Sequence, residues 1–218
     1  MARRTKDNGT MKLALLCLLV TSLAVSLVVA EEKKIAPQKL PTCEVGLPPG
    51  KYSEKSIYRL GTAWTTDAGK TIKLDSLRGR PLVVALFFTN CQHSCPFIVK
   101  DMKAMEAALS AKAGSKVTFV LVSIDPERDS TEALGAFRKK YKLAADRWTL
   151  LKGEGDSVKQ LAEKLGFNYS EGSKTQFAHS LMVTVMNGAG EVAHQQVGIG
   201  VDRKGAISAI EKLAAAKR

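Results

Sequence analysis

Three stretches of the chain, residues 82–88, 117–124 and 181–186, are apolar at almost every position and rich in Val, Leu and Phe. A half-exposed strand alternates apolar with polar residues, whereas an unbroken run of this length is a strand buried on both faces. Such strands need helices to cover them, and the intervening segments carry helical patterns. Phe97, Met102, Met105, Ala108 and Leu109 mark one face of a predicted helix over residues 96–112. A second helix is expected over Thr131–Tyr141 after Asp129 as N-cap, and a third over residues 157–165 after Asp156. Asn187-Gly188-Ala189-Gly190 reads as a hairpin turn into residues 191–196, and residues 203–216 read as a closing helix. Upstream, short β segments are expected at residues 58–60 and 71–74, with a turn at Thr66-Asp67-Ala68-Gly69. The order predicts an α/β fold: a central mixed β-sheet flanked by helices, with a short N-terminal β extension.

The first 30 residues read differently. Arg3, Arg4, Lys6 and Lys12 precede an apolar and small-residue run over residues 13–30, and Val28-Val29-Ala30 presents small residues for signal cleavage. This is the pattern of an export signal. The run is also just long enough for a short membrane span, so an inner-membrane anchor stays open beside cleavage after Ala30. Positive charge ahead of it sends residues 31–218 out of the cytoplasm, to the periplasmic side. Cys17 follows bulky Leu16, which excludes a lipoprotein site. Residues 31–56, with Pro37, Pro41, Pro48, Pro49 and Gly50, read as a linker to a domain over residues 57–218. The formal charge of +12 would suit nucleic acid, but no stretch interleaves basic with aromatic residues, so the lysines read as a solvated surface. An exported chain with only Cys43, Cys91 and Cys95 beyond the signal is not a disulfide scaffold, and its cysteines read as reactive or ligating.

The chemistry concentrates in Phe87-Phe88-Thr89-Asn90-Cys91-Gln92-His93-Ser94-Cys95-Pro96, where a buried strand ends and a helix opens. Pro96 suits the first helical position, which makes Cys95 the expected N-cap. A helix N-terminus favours thiolates. Four residues of helical turn advance about 6 Å, inside the roughly 4.4–6.8 Å range of Cα separations that a disulfide accepts. Redox chemistry and soft-metal binding therefore both remain open. A third ligand must come from His93, His179 or His194. His179 precedes the third apolar run and can reach the same sheet end, as a ligand or as a hydrogen-bonded structural histidine. His93 reads as exposed between the cysteines, and His194 as a surface residue. Two thiolates and an imidazole suit Cu(I), and also Cu(II) with a further oxygen donor, whereas structural zinc usually takes four protein ligands. Asp125 and Asp129 follow the second apolar run, either near the cysteines or simply ordering a turn and capping a helix. Met102, Met105, Met182 and Met186 read as core.

Taken together, Cys91-Gln92-His93-Ser94-Cys95-Pro96, Ser123-Ile124-Asp125-Pro126-Glu127-Arg128-Asp129, Phe177-Ala178-His179-Ser180 and Leu77-Arg78-Gly79-Arg80-Pro81 resemble the Sco/SenC proteins. These are thioredoxin-like copper-binding assembly factors for cytochrome c oxidase. The resemblance runs from about Tyr58 to the C-terminus. It implies a thioredoxin-like fold, copper as Cu(I) or Cu(II) held by Cys91, Cys95 and His179, a membrane tether, and a partner subunit carrying the binuclear copper centre. The chain departs at Ala178, where the family often has an acidic residue, and Cys43 lies outside the family pattern. Two functions follow. In one, the protein is a copper chaperone delivering copper to cytochrome c oxidase. In the other, Cys91 and Cys95 form a redox dithiol that reduces a copper-enzyme subunit. Copper loading requires both thiols reduced, which calls for a periplasmic thiol reductant.

Overall fold

In the computed structural model, residues 52–171, 177–198 and 200–216 are described. The elements are β1 (Ala63–Thr66), β2 (Thr71–Lys73), β3 (Leu82–Phe87), α1 (Cys95–Ala108), the single turn α2 (Ala111–Gly114), β4 (Thr118–Ser123) and α3 (Thr131–Tyr141). They continue with β5 (Trp148–Gly153), α4 (Gly155–Leu165), β6 (Tyr169–Glu171), β7 (Phe177–His179), β8 (Met182–Met186), β9 (Val192–Val197) and α5 (Lys204–Ala215). The three apolar runs are β3, β4 and β8, and every residue in each of them is buried. Each large apolar side chain so removed from water contributes about 1.5–3 kcal/mol.

Seven strands form one mixed sheet in the order β2-β1-β5-β4-β3-β8-β9, and β6 and β7 pair separately as a small ribbon. β3 is parallel to β4 and antiparallel to β8, with Phe87 opposite Ser123 and Ala85 opposite Val183. This register brings three chain segments to one sheet end: the loop leaving β3, the loop leaving β4, and the segment entering β8. Helices cover both faces. α1 meets α3 through Lys103 Nζ, which donates to the Tyr141 carbonyl, and also packs against α5. α4 lies on the other face. Its Val158, Leu161, Ala162 and Leu165 repeat at helical spacing and are buried, and Gln195 of β9 donates to the Leu165 carbonyl, while neighbouring His194 packs toward α5 at Gly205. α4 ends at Gly166, whose φ of +64° lies in the left-handed region that glycine adopts without strain. Gly153 has a different reason to lack a side chain, since a Cβ there would sit 2.7 Å from the Trp64 ring.

The expected mixed sheet flanked by helices is present, and the N-terminal β extension is the β1–β2 hairpin. Several local expectations need correction. Residues 58–60 are not a strand. Ile57–Arg59 is a 3-10 turn in which the buried Ser56 hydroxyl accepts the Tyr58 N–H. The helix expected to reach residue 112 stops at Ala108, because Ser110 caps the separate turn α2 by accepting the Ala113 N–H. Ser130, not Asp129, caps α3, and Glu154, not Asp156, precedes α4. Phe97 faces outward at 51% exposure, and α1 buries Ile98, Val99, Met102 and Met105 instead. His194 is half-buried under α5 rather than free on the surface. The four methionines expected in the core are all buried. Among the described residues no helix is long and apolar enough to cross a membrane. Residues 1–30, most of the expected linker, and Cys43 lie outside the described residues.

Candidate metal centre

The cysteine turn is held from both ends. Upstream, Thr89 donates its backbone N–H to the Asp129 carboxylate (3.1 Å to Oδ2), and its hydroxyl also bonds that carboxylate. The Ser123 hydroxyl donates to the same carboxylate at 2.5 Å, so Asp129 ties the loop leaving β3 to the end of β4. Burial raises the Asp129 carboxyl above its ordinary value, against the hydrogen bonds from Ser123 and Thr89. Asp125 accepts from Arg128 Nε at 2.6 Å, and its carbonyl accepts the Asp129 N–H at 2.9 Å. Asp125 therefore orders its turn as expected. Asp129 braces the cysteine loop instead of capping a helix.

Downstream, α1 begins one residue earlier than expected. Ser94 occupies the cap position, and Cys95 is the first helical residue. The Ser94 carbonyl accepts the Ile98 N–H at 3.1 Å, and Pro96 lacks the N–H that the first turn could not use. The free Cys95 N–H finds Cys91 Sγ at 3.3 Å. Both cysteines are buried free thiols. The Cys91 thiol is lowered to about 3, chiefly by the Cys95 thiol donating to it, with the amides of Cys95 and His93 adding to the effect against burial. Cys95 is pushed strongly upward by that same bond and by burial. The shared bond and the burial thus favour ionisation of Cys91 before Cys95.

His179 closes the site from β7, at the edge of the small ribbon, where it pairs with Tyr169. Phe167 stacks on its ring at 5.9 Å between centroids, and Phe88 meets it edge-on at 6.0 Å. Its Nδ1 lies 2.9 Å from the Ser180 carbonyl, an acceptor only, so Nδ1 carries the proton and the Nε2 lone pair points toward the cysteines. Ser94 Oγ is 3.0 Å from that Nε2 and 3.4 Å from Cys91 Sγ. The ligand atoms of Cys91, Cys95 and His179 all lie within 4.8 Å of one another. Two soft sulfurs and one imidazole nitrogen at such separations fit a thiophilic metal ion. They also permit a disulfide when an external two-electron oxidant, such as a partner disulfide, accepts the electrons and the Cys95 proton is lost. His93 is exposed, and among the described residues neither its ring nor that of His194 joins the three ligand atoms. Ser94 and Thr89 were not among the candidate residues, and of the two tasks open to Asp129 the structure shows the one beside the cysteines. For Ser94 a signal existed, since a hydroxyl three residues after one cysteine and directly before the next must face one of the two sulfurs in a helical turn.

The SCO1/SenC family profile matches residues 55–215. A SCO1 protein homolog of Bacillus subtilis is 34% identical over 89 residues, which are 41% of this chain and 46% of that protein. The chain spans about half or less of the curated relatives it matches, from 36% to 51% of their lengths. A SCO1/SenC family lipoprotein from Bacillus anthracis superposes with a TM-score of 0.64 at 25% identity, covering 70% of this chain and 92% of that one. Yeast Sco1 solved with copper bound superposes with a TM-score of 0.59 at 21% identity, covering 72% and 88%.

Proposed function

Since the chain belongs to the SCO1/SenC family, whose thioredoxin-like architecture it shares, we propose that it binds one copper ion through Cys91, Cys95 and His179 and delivers it to the copper centre of cytochrome c oxidase. The observation that carries this reading is the convergence of three soft ligand atoms within 4.8 Å from segments 84 residues apart in sequence. Relatives of the same fold solved with copper bound support the choice of metal. Copper is the cargo here. Cys91 offers a thiolate already formed, Cys95 must release its proton to ligate, and the Nδ1–H bond to Ser180 keeps the His179 lone pair available. The partner is the oxidase subunit that carries the copper centre, and a periplasmic thiol reductant returns any Cys91–Cys95 disulfide to the loading state.

The thiol-disulfide alternative uses the same two sulfurs but leaves the nitrogen aimed at them without a task. For localisation, residues 1–30 act as the export signal or inner-membrane anchor, with the copper domain on the periplasmic side. Fractionation with alkaline extraction separates an anchored form from a released one. Anaerobic titration tests the main reading. The reduced protein should take up one copper per chain and the disulfide form none, and equal uptake by both would refute it.

A further inference from the structure

Ser94 has one hydroxyl proton and two acceptors within reach. In the neutral form that can ligate a metal, Nδ1–H faces the Ser180 carbonyl at 2.9 Å and Nε2 offers its lone pair, so in that form the Ser94 hydroxyl, at 3.0 Å, is the donor. The same oxygen lies 3.4 Å from Cys91 Sγ, which also accepts the Cys95 backbone N–H. The lone pair that Ser94 occupies is the one a metal at this site requires.

We propose that Ser94 is a positioning residue that holds His179 Nε2 over the cysteines while the site is empty, competes with the metal for that lone pair, and turns its proton to the Cys91 sulfur when a metal takes the nitrogen. The inference rests on the copper reading above. The change needs only rotation about the Ser94 Cβ–Oγ bond, because the oxygen already sits between the two acceptors. Two consequences share one sign. Cu(I), satisfied by two thiolates, need not displace Ser94 from the imidazole, whereas Cu(II) requires the nitrogen and must break the bond. Once copper is bound, a hydroxyl hydrogen-bonded to the Cys91 sulfur withdraws electron density from it, which again disfavours Cu(II). Ser94 therefore biases the site toward Cu(I).

The test compares the full chain with Ser94→Ala and Ser94→Thr, the latter keeping the hydroxyl. In metal-free reduced protein labelled with 15N-histidine, Ser94→Ala should move the His179 Nε2 resonance toward that of an unbonded lone pair, and Ser94→Thr should leave it near the parent value. In copper-loaded protein, redox titration should show the Cu(II)-to-Cu(I) affinity ratio rising about three- to tenfold in Ser94→Ala, where tenfold corresponds to about 59 mV for a one-electron couple. The thiolate-to-Cu(II) absorption should shift to lower energy, and Ser94→Thr should restore both readings. An unmoved His179 resonance, or an unchanged potential and spectrum in a copper-binding Ser94→Ala protein, would overturn the inference. A parent protein that takes no copper while its His179 resonance still responds to Ser94→Ala would instead overturn the copper reading, together with the metal bias proposed for Ser94.

Discussion

The two halves of the site are built to different standards of support. The cysteine half grows out of the centre of the main sheet. β3 is buried on both faces, Phe88 is buried, Asp129 braces Thr89, and Cys95 is fully enclosed at the start of α1. The histidine half hangs on a ribbon of three residue pairs outside that sheet. Two aromatic rings and a few hydrogen bonds orient it: Nδ1 to the Ser180 carbonyl, the Ser180 N–H to the Asn168 carbonyl, and Ser94 to Nε2. The sulfur positions are specified by core packing and the nitrogen position by two ring contacts and a few hydrogen bonds, so the two halves should respond differently to substitution.

If that contrast is right, the largest effects come from the cysteine half. Cys91→Ser or Cys95→Ser should abolish stoichiometric copper binding. Affinity should fall by well over the roughly 100-fold that removal of an outer-shell partner costs, as read by competition with a Cu(I) chelator. In the parent, Cys91 with its thiol near 3 should alkylate at a nearly constant rate from about pH 5 to 8, while Cys95 stays inert until the protein unfolds. A rate that climbs tenfold per pH unit across that range would contradict the assignment of the thiolate.

Next in size is His179→Ala. Cu(I) should remain bound by the two thiolates with affinity lower by about tenfold, whereas Cu(II) should lose its stable site and its thiolate charge-transfer band. Titration with each oxidation state separately measures the difference. Equal loss of both would mean that the nitrogen is as firmly built in as the sulfurs.

Asp129 probes how the cysteine half is braced. Asp129→Ala leaves the Thr89 N–H and Ser123 hydroxyl without their acceptor and should cost about 1–3 kcal/mol by denaturant unfolding. Asp129→Asn keeps one acceptor oxygen and should cost less. The folded carboxyl holds its proton more tightly than at the ordinary 3.8, so the folded state binds more protons in the window above that value. The contribution of this group to stability is therefore full below 3.8 and falls as pH rises through its raised folded value. The Asn variant lacks that slope, so the parent's advantage over Asp129→Asn should be greatest near pH 4 and shrink toward neutrality. An advantage that grows with pH would reverse the sign. The smallest effect is expected from Ser180→Ala, which removes only the hydroxyl accepting the Asn168 N–H and leaves the backbone carbonyl that orients His179. Copper affinity should stay within about threefold of the parent by the same titration.

The same contrast explains what could be read from the residues. β3, β4 and β8 were legible because strands buried on both faces must be apolar throughout, and the Cys91–Cys95 spacing beside Pro96 marks a helix start. His179 was legible as a candidate because an antiparallel β8 brings its entering segment to the end where β3 leaves. The ribbon was not legible: β6 and β7 are three residues each, too short for any alternation to register. Ser130 and Asp129 are both competent caps, and only the tertiary position of Thr89 and Ser123 draws the carboxylate away to the cysteine loop. Phe97 lies about 140° round the helix from Met102, outside the buried stripe of Cys95, Ile98, Met102 and Met105, so it faces solvent. The Ser94–Cys91 contact is local, but the Ser94–His179 contact joins residues 85 positions apart, and no local pattern encodes that distance.

The most direct test of the central claim is X-ray absorption at the copper edge on the reduced, copper-loaded protein, with His179→Ala measured beside it. Two sulfur neighbours and a histidine nitrogen are predicted for the parent loaded with Cu(II), two sulfurs for parent and variant loaded with Cu(I), and no histidine scattering in the variant in either state. A parent spectrum without two sulfurs, or one whose histidine scattering survives the loss of His179, would contradict it.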